Sequence, residues 1–227
     1  MKITALLPMK ANSERVKGKN FRLFGNKPLF KWILDTLEDI NFIDEIVINT
    51  DAEPQLIEKG FEETKKTRLR KRKKSICGDD VSMNIILKDD IENTNSDLYL
   101  MTHTTNPFLS KNTIEDAVAF FLEKTKKENC DSLFSVDKVQ ERFFDENAKP
   151  LNHDLTNLIK TQDITPWFKE NSNLYIFTKE SFLSSNSRIG KNPIMYEMSS
   201  YESLDIDNQH DWDLGISMLK FYDESQK

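Results

Sequence analysis

The chain has 227 residues, 37% hydrophobic and 31% charged, with 15 Phe and 3 Trp, which suits one α/β domain with a genuine core. A formal net charge of −6 excludes a nucleic-acid binder that works by bulk electrostatics, so any anion site must be a local patch. Cys77 and Cys130 are far apart, match no metal spacing and read as reduced thiols.

The N-terminal apolar run is too short for a signal segment or a membrane span, and no later stretch is long enough, so a soluble cytoplasmic protein is expected. ITALL (3–7) reads as a strand buried on both faces. Between 28 and 40, Leu29, Trp32, Ile33, Leu37 and Ile40 fall at helical spacing, and Pro28 suits a first turn. EIVIN (45–49) is a second strand, and AEPQLIEKGFEE (52–63) a helix. The cationic run 65–74 hides a short strand. A helix over 82–93 is capped by Ser82, and DLYLMT (97–102) is a third strand. A helix over 112–124 puts Ile114, Ala117, Val118 and Phe121 on one face, and DSLFSV (131–136) is a further strand. This alternation predicts a parallel sheet with helices on both faces and ligands at the C-terminal ends of its strands. After residue 137 the chain turns polar and aromatic-spiked, which predicts an insertion over about 138–170 that leaves the main sheet as a lid or subunit contact. A strand and helix then follow from NLYIFTKESFL, a strand from PIMYEMS, and a short extended piece before a terminal helix.

Residues 9–20, MKANSERVKGKN, follow the first strand directly. They hold Lys10, Arg15, Lys17 and Lys19, with Asn12, Ser13 and Asn20 as donors and Gly18 for unusual backbone angles. Such a loop either cradles phosphates or is a solvated basic turn; it is not a Walker A loop. In SLDIDNQHDWD, Asp205 and Asp207 alternate in an extended run and face one side. Two such carboxylates suit Mg²⁺ shared with substrate phosphates; alternatively Asp207 is an N-cap and Asp205 a solvated edge residue. Asp211 and Asp213 read as decoration on the exposed face of the helix. MTHTTNPFLS (101–110), NTD (49–51) and ICGDDVSMN (76–84) are explained equally well by turns and caps. The run 65–74 lacks aromatics for base stacking and reads as a solvated face, or else as an electrostatic funnel for an anion. His103, His153 and His210 sit in no metal spacing.

In chain order, LLPMKANSERVKGKN, GNKPLF, NTD, CGDDVS, THTTNPFLS, TQDITPWFKENSNLYIF and SLDIDNQHDWD resemble the cytidylyltransferases that activate sialic acids. The resemblance covers nearly the whole chain. It implies a single domain over 1–227 with an α/β, Rossmann-like nucleotidyltransferase fold: a mostly parallel central sheet, helices on both faces, and a small inserted dimerisation arm or lid near 138–170. It implies transfer of CMP from CTP to the anomeric hydroxyl of a nonulosonic acid, with release of pyrophosphate and Mg²⁺ as cofactor. Lys10, Lys19 and Asp207 would then be catalytic, and Asp205 and Asp207 would bind the metal. The nucleotide would lie against Pro8, Met9, Lys10, Ser13, Arg15, Lys19, Asn20, Gly78, Asp79 and Ser82. The sugar would lie against His103, Thr104, Thr105, Asn106, Gln162, Asp163 and Asn171. Expected partners are CTP, the sugar acid and a second copy in a homodimer, with no nucleic acid and no membrane. Many members carry Arg at the position of Lys10, Pro at Lys17, Gln at His103 and Arg at Leu109; the last two changes leave the acid's identity open. The competing readings are a nucleotidyltransferase for another sugar acid, sugar phosphate or NTP, an idle nucleotide-binding homologue, and a nucleic-acid binder acting through 65–74.

Overall fold

A computed structural model describes residues 1–225. Its strands are β1 (Ile3–Leu6), β2 (Leu23–Phe24), β3 (Lys27–Pro28), β4 (Glu45–Thr50), β5 (Thr67–Lys71), β6 (Leu98–Thr102), β7 (Ser132–Val139), β8 (Trp167–Phe177) and β9 (Pro193–Glu197). Its helices are α1 (Leu29–Glu38), α2 (Glu53–Glu58), α3 (Met83–Glu92), α4 (Lys111–Glu128), α5 (Lys179–Ser185) and α6 (Gln209–Ser225). β2 and β3 form a separate hairpin; the rest build one sheet in the order β5-β4-β1-β6-β8-β7-β9. β5, β4, β1 and β6 are parallel, β9 is parallel to β7, and only β8 runs against its neighbours. Among the described residues no helix is long and apolar enough to cross a membrane.

The period of two along each central strand sorts the core into two layers. Ile3, Ala5, Ile46, Ile48, Leu98, Leu100, Leu174 and Ile176 face α1 and α4, meeting Phe30, Ile33, Leu37, Ile114 and Phe121. Leu6, Val47, Tyr99, Met101, Tyr175 and Phe177 face the other way, meeting Leu87 and Ile91 of α3 and Phe182 of α5. Helices on both faces follow from strands buried on both sides, whose few polar residues, such as Thr4 and Asn49, are buried too.

The segment expected to leave the sheet at 138 leaves it later. Residues 138–139 and 167–170 pair across β7 and β8, so only 140–166 stands outside the ladder. Within it, Phe143 stacks on Trp167 at 4.9 Å, and Phe144 meets the edge of His153.

A third apolar cluster sits beyond the strand ends. Val16 of the first loop, Phe24 of the hairpin, Leu29, Ile206 and Trp212 pack together, with Phe24 edge-on to Trp32, Phe108 and Trp212. Helix α6 enters this cluster at Gly215, where a Cβ would lie 2.6 Å from the Phe24 ring. Phe24 is fully buried among other rings and cannot yield. Gly215→Ala is therefore expected to lower stability by about 1–2 kcal/mol in urea unfolding, because overpacking outweighs the helix-propensity gain of about 1 kcal/mol. A stabilised variant would show that this close approach is absent.

Candidate active site

The first loop is tied down at several points. Met9 N–H donates to the Asn49 carbonyl at 2.9 Å, and Ala11 N–H to Asp51 Oδ1 at 2.7 Å. Val16 is buried in the third cluster, and Gly18, at φ +65°, turns the chain into the 3-10 helix Lys19–Phe21. Asn20 bonds the Lys10 carbonyl at 2.9 Å and accepts from Thr104 Oγ1 at 2.9 Å, which joins the loop to the end of β6. Among the loop's cations, Lys19 is only 8% exposed. Its Nζ donates to the Ile206 carbonyl and lies 3.4 Å from Asp207 Oδ1, while Arg15 Nη1 lies 3.2 Å from Asp207 Oδ2. Lys10 Nζ pairs with Asp79 Oδ1 at 2.6 Å.

The Asp-Ile-Asp segment alternates as expected: Ile206 is fully buried, and both carboxylates line the cleft. Asp205 Oδ1 is buried with no hydrogen-bond partner. Burial pushes the Asp205 carboxyl pKa up, the Asp207 charge adds to that, and a hydrogen bond from Thr105 opposes it. Asp207 does not cap α6. Asn208 Oδ1 accepts from Asp211 N–H at 3.1 Å, and Asp211 Oδ2 accepts from the N–H groups of Asn208 and Asp207 at 2.9 Å, a reciprocal capping box. The expectation for Asp211 is thus corrected: it starts the helix and leaves Asp207 facing the cleft.

The cleft encloses about 520 Å³ at the C-terminal ends of β1, β5 and β6. Pro8, Met9, Lys10, Ser13, Arg15, Lys19 and Asn20 reach it from the first loop, Gly78 and Asp79 from the loop before α3, and His103, Thr104 and Thr105 from the end of β6. A second cavity of about 620 Å³ shares Arg15, Ser172, Asp205 and Asp207 with it. Asn171 lines that second cavity, holding Ser135 and Asp137 through its amide. Four expected residues reach neither cavity. Ser82 caps α3, Asn106 is fully buried, and Gln162 and Asp163 lie exposed on the 3-10 helix Thr161–Asp163. Among the described residues no three His, Cys, Asp or Glu side chains are grouped to hold a metal ion. Asp205 and Asp207, with one orphaned oxygen between them, fit a hard cation that takes its other ligands from phosphate and water.

Sequence reasoning missed Arg72 and Arg188, which both line the cleft. The run 65–74 is not simply a solvated face. Positions 66, 68, 70 and 72 are all engaged, along β5 and its flanks. Lys66 Nζ takes the carbonyls of Leu37, Glu38 and Ile40 at the end of α1. Arg68 pairs with Glu45, and Arg70 with Asp89 and Asp90. Arg72 is buried, donating to Asn49 Oδ1 at 2.9 Å, the Asn49 carbonyl at 2.8 Å and the Met9 carbonyl at 3.0 Å. Period-two alternation was the available signal. His103 is neutral: burial, with Arg188 and Lys19 nearby, pushes its pKa down to about 3.

Residues 4–221 match the cytidylyltransferase family. The chain belongs to that family. It is 25% identical over 232 residues to a CMP-N,N′-diacetyllegionaminic acid synthase of Legionella pneumophila, covering 99% of each chain. It is 21% identical to an N-acylneuraminate cytidylyltransferase of Escherichia coli, covering 96% of this chain and 52% of the other, so it spans about half that relative's length. In fold it is similar to a CMP:2-keto-3-deoxy-manno-octonic acid synthetase complexed with CTP, at a TM-score of 0.70 and 11% identity, covering 98% of this chain and 100% of the other. Seven strands in one mostly parallel sheet with helices on both faces are the nucleotidyltransferase architecture of this cytidylyltransferase.

Behind the cleft, Asn49 holds Arg72 on one side and donates to Asp90 Oδ1 at 2.6 Å on the other. Asp90 is fully buried, and desolvation raises its pKa to about 7 despite Asn49 and Arg70. The folded state therefore holds this proton at pH values where the unfolded chain has released it. Between about pH 4 and 7 the group's contribution to stability falls as pH rises. Asp90→Asn is expected to gain stability relative to the parent across that window. Parallel denaturation curves at pH 4, 6 and 8 check this, and a constant difference between the two proteins would refute it.

Proposed function

We propose that this cytidylyltransferase transfers CMP from CTP to the anomeric hydroxyl of a nonulosonic acid and releases pyrophosphate, with Mg²⁺ held by Asp205 and Asp207. Relatives named for legionaminic and acylneuraminic acids support the acceptor class. The observation that carries the reading is the convergence of Lys19 and Arg15 on Asp207, beside the unpartnered Asp205 oxygen.

Displacement at phosphorus needs positioning and charge neutralisation more than covalent help. Lys10, Arg15 and Lys19 take up the charge that builds on the departing pyrophosphate as the bond between the α-phosphorus and its bridging oxygen breaks. Phosphate oxygens compete with Asp207 for Arg15 and Lys19, which frees its carboxylate. Held by Asp205 and Asp207, Mg²⁺ would neutralise phosphate charge and make the attacking hydroxyl more acidic. Arg72, fixed by three hydrogen bonds, lines the cleft and adds a positive charge to its nucleotide half. Neutral His103 and the hydroxyls of Thr104 and Thr105 bind the acceptor without adding charge. The segment 140–166, with Leu151, Leu155, Leu158 and Ile159 exposed, is the docking face for a second copy. The reaction takes place in the cytoplasm.

Asp207→Asn is expected to reduce turnover by about two orders of magnitude or more in a protein that stays folded and melts only a few degrees lower, since Lys19 keeps the Ile206 carbonyl. A near-parental rate would remove Asp207 from the metal site. Lys19→Ala is expected to weaken CTP binding about tenfold in titration. Unchanged nucleotide affinity would take Lys19 out of the triphosphate site.

A further inference from the structure

Arg188 belongs to none of the motifs that pointed to function. It lies between α5 and β9, yet it lines the cleft. Its guanidinium is stacked on the Tyr175 ring, 3.8 Å from the centroid, and the side chain is only 19% exposed. Nη2 is 3.4 Å from Glu170 Oε1, and Nη1 is 3.5 Å from His103 Nε2 and 3.9 Å from Met101 Sδ. All three contacts are long for hydrogen bonds. A rigid fork of five donors is thus held flat and largely desolvated, with its donors under-used. Among the described residues Glu170 is the carboxylate paired with it, and the Tyr175 hydroxyl also claims that carboxylate. His103 is uncharged and offers no counter-charge. Arg188, His103 and Lys19 line the same cleft. Flexible point charges on the first loop suit a triphosphate. A planar fork fixed by an aromatic face suits a planar anion that accepts two parallel hydrogen bonds.

We propose that Arg188 recognises the carboxylate of the acceptor sugar acid, and that Glu170 occupies the fork until that carboxylate replaces it. The inference rests on the CMP-transfer reading above. Exchanging one carboxylate for another keeps the fork's charge balanced, and Glu170, with 41% of its side chain exposed, has water to turn into. The fork then distinguishes a free acid from a neutral sugar of the same shape.

Titration calorimetry at saturating α,β-methylene-CTP reads acceptor binding without turnover. The probes are N-acetylneuraminic acid, N,N′-diacetyllegionaminic acid and pseudaminic acid, with the methyl ester of whichever binds most tightly. The parent is expected to bind a free acid and to bind its ester about tenfold more weakly or worse. Arg188→Ala should weaken the free acid about tenfold and abolish the preference over the ester, and Arg188→Lys, which keeps the charge but not the fork, should weaken the free acid and narrow that preference. Their affinity for α,β-methylene-CTP should stay within about twofold of the parent, which also reports an intact fold. Glu170→Gln should bind the acid at least as tightly as the parent. The proposal is overturned if acid and ester bind alike, if the Arg188 variants keep the acid affinity, or if none of the three acids binds. Failure of the parent to bind the nucleotide analogue counts against the CMP-transfer reading instead, and the acid titrations, run again without it, still decide the role of Arg188.

Discussion

Lys19 is a nearly buried ammonium whose partners lie at the far end of the chain. It donates to the Ile206 carbonyl and faces the Asp207 carboxylate, 188 positions away. A desolvated charge left without partners costs several kcal/mol, so the first loop and the 205–207 segment have to meet in one geometry. Apolar packing reinforces the same junction, because Val16 and Ile206 flank it and share a cluster with Phe24 and Trp212. Lys19 and Arg15, proposed to meet phosphate, and Asp205 and Asp207, proposed to meet metal, are thereby held as one unit at the strand ends. The capping box of Asn208 and Asp211 completes it by starting α6 without using Asp207.

The charge pattern follows from that arrangement. A chain of net charge −6 handles an anionic substrate by concentrating cations where strands end and neutralising the rest. β5 illustrates the division. Arg68 and Arg70 are absorbed by Glu45, Asp89 and Asp90, Lys66 by helix carbonyls, and only Arg72, one residue past the strand, reaches the cleft. Asn49 links Arg72 to the buried carboxyl of Asp90, so a residue in the cleft wall shares a polar network with a group deep under α3.

The legibility of each part in the sequence tracks how local its physics is. β1, β4 and β6 were readable because burial on both faces demands short runs made mostly of apolar residues. The pairing of the first loop with Asp-Ile-Asp was readable as chemistry, since each has a composition that needs an explanation. β5 was nearly hidden, because an edge strand with ion-paired side chains looks like a solvated basic stretch. The start of the insertion was placed too early because polar residues can still pair: 138–139 and 167–170 extend β7 and β8. Arg188 left no trace in its own segment. Its position depends on Tyr175, His103 and Glu170, which β8 and β6 bring together through antiparallel pairing. No local pattern encodes a contact of that kind. Asp211 was readable in hindsight, as an acid three residues after an Asn N-cap.

The central claim is that the basic loop and the Asp pair make this cytidylyltransferase a CMP-transferring enzyme for a sugar acid. Pyrophosphate release tests it most directly, with purified protein, Mg²⁺, each of the four NTPs in turn, and a panel of nonulosonic and octulosonic acids. The account predicts release with CTP and at least one acid, abolished by EDTA and absent with the acid omitted. Release with a different nucleotide in preference to CTP, or release that persists in EDTA, would contradict it.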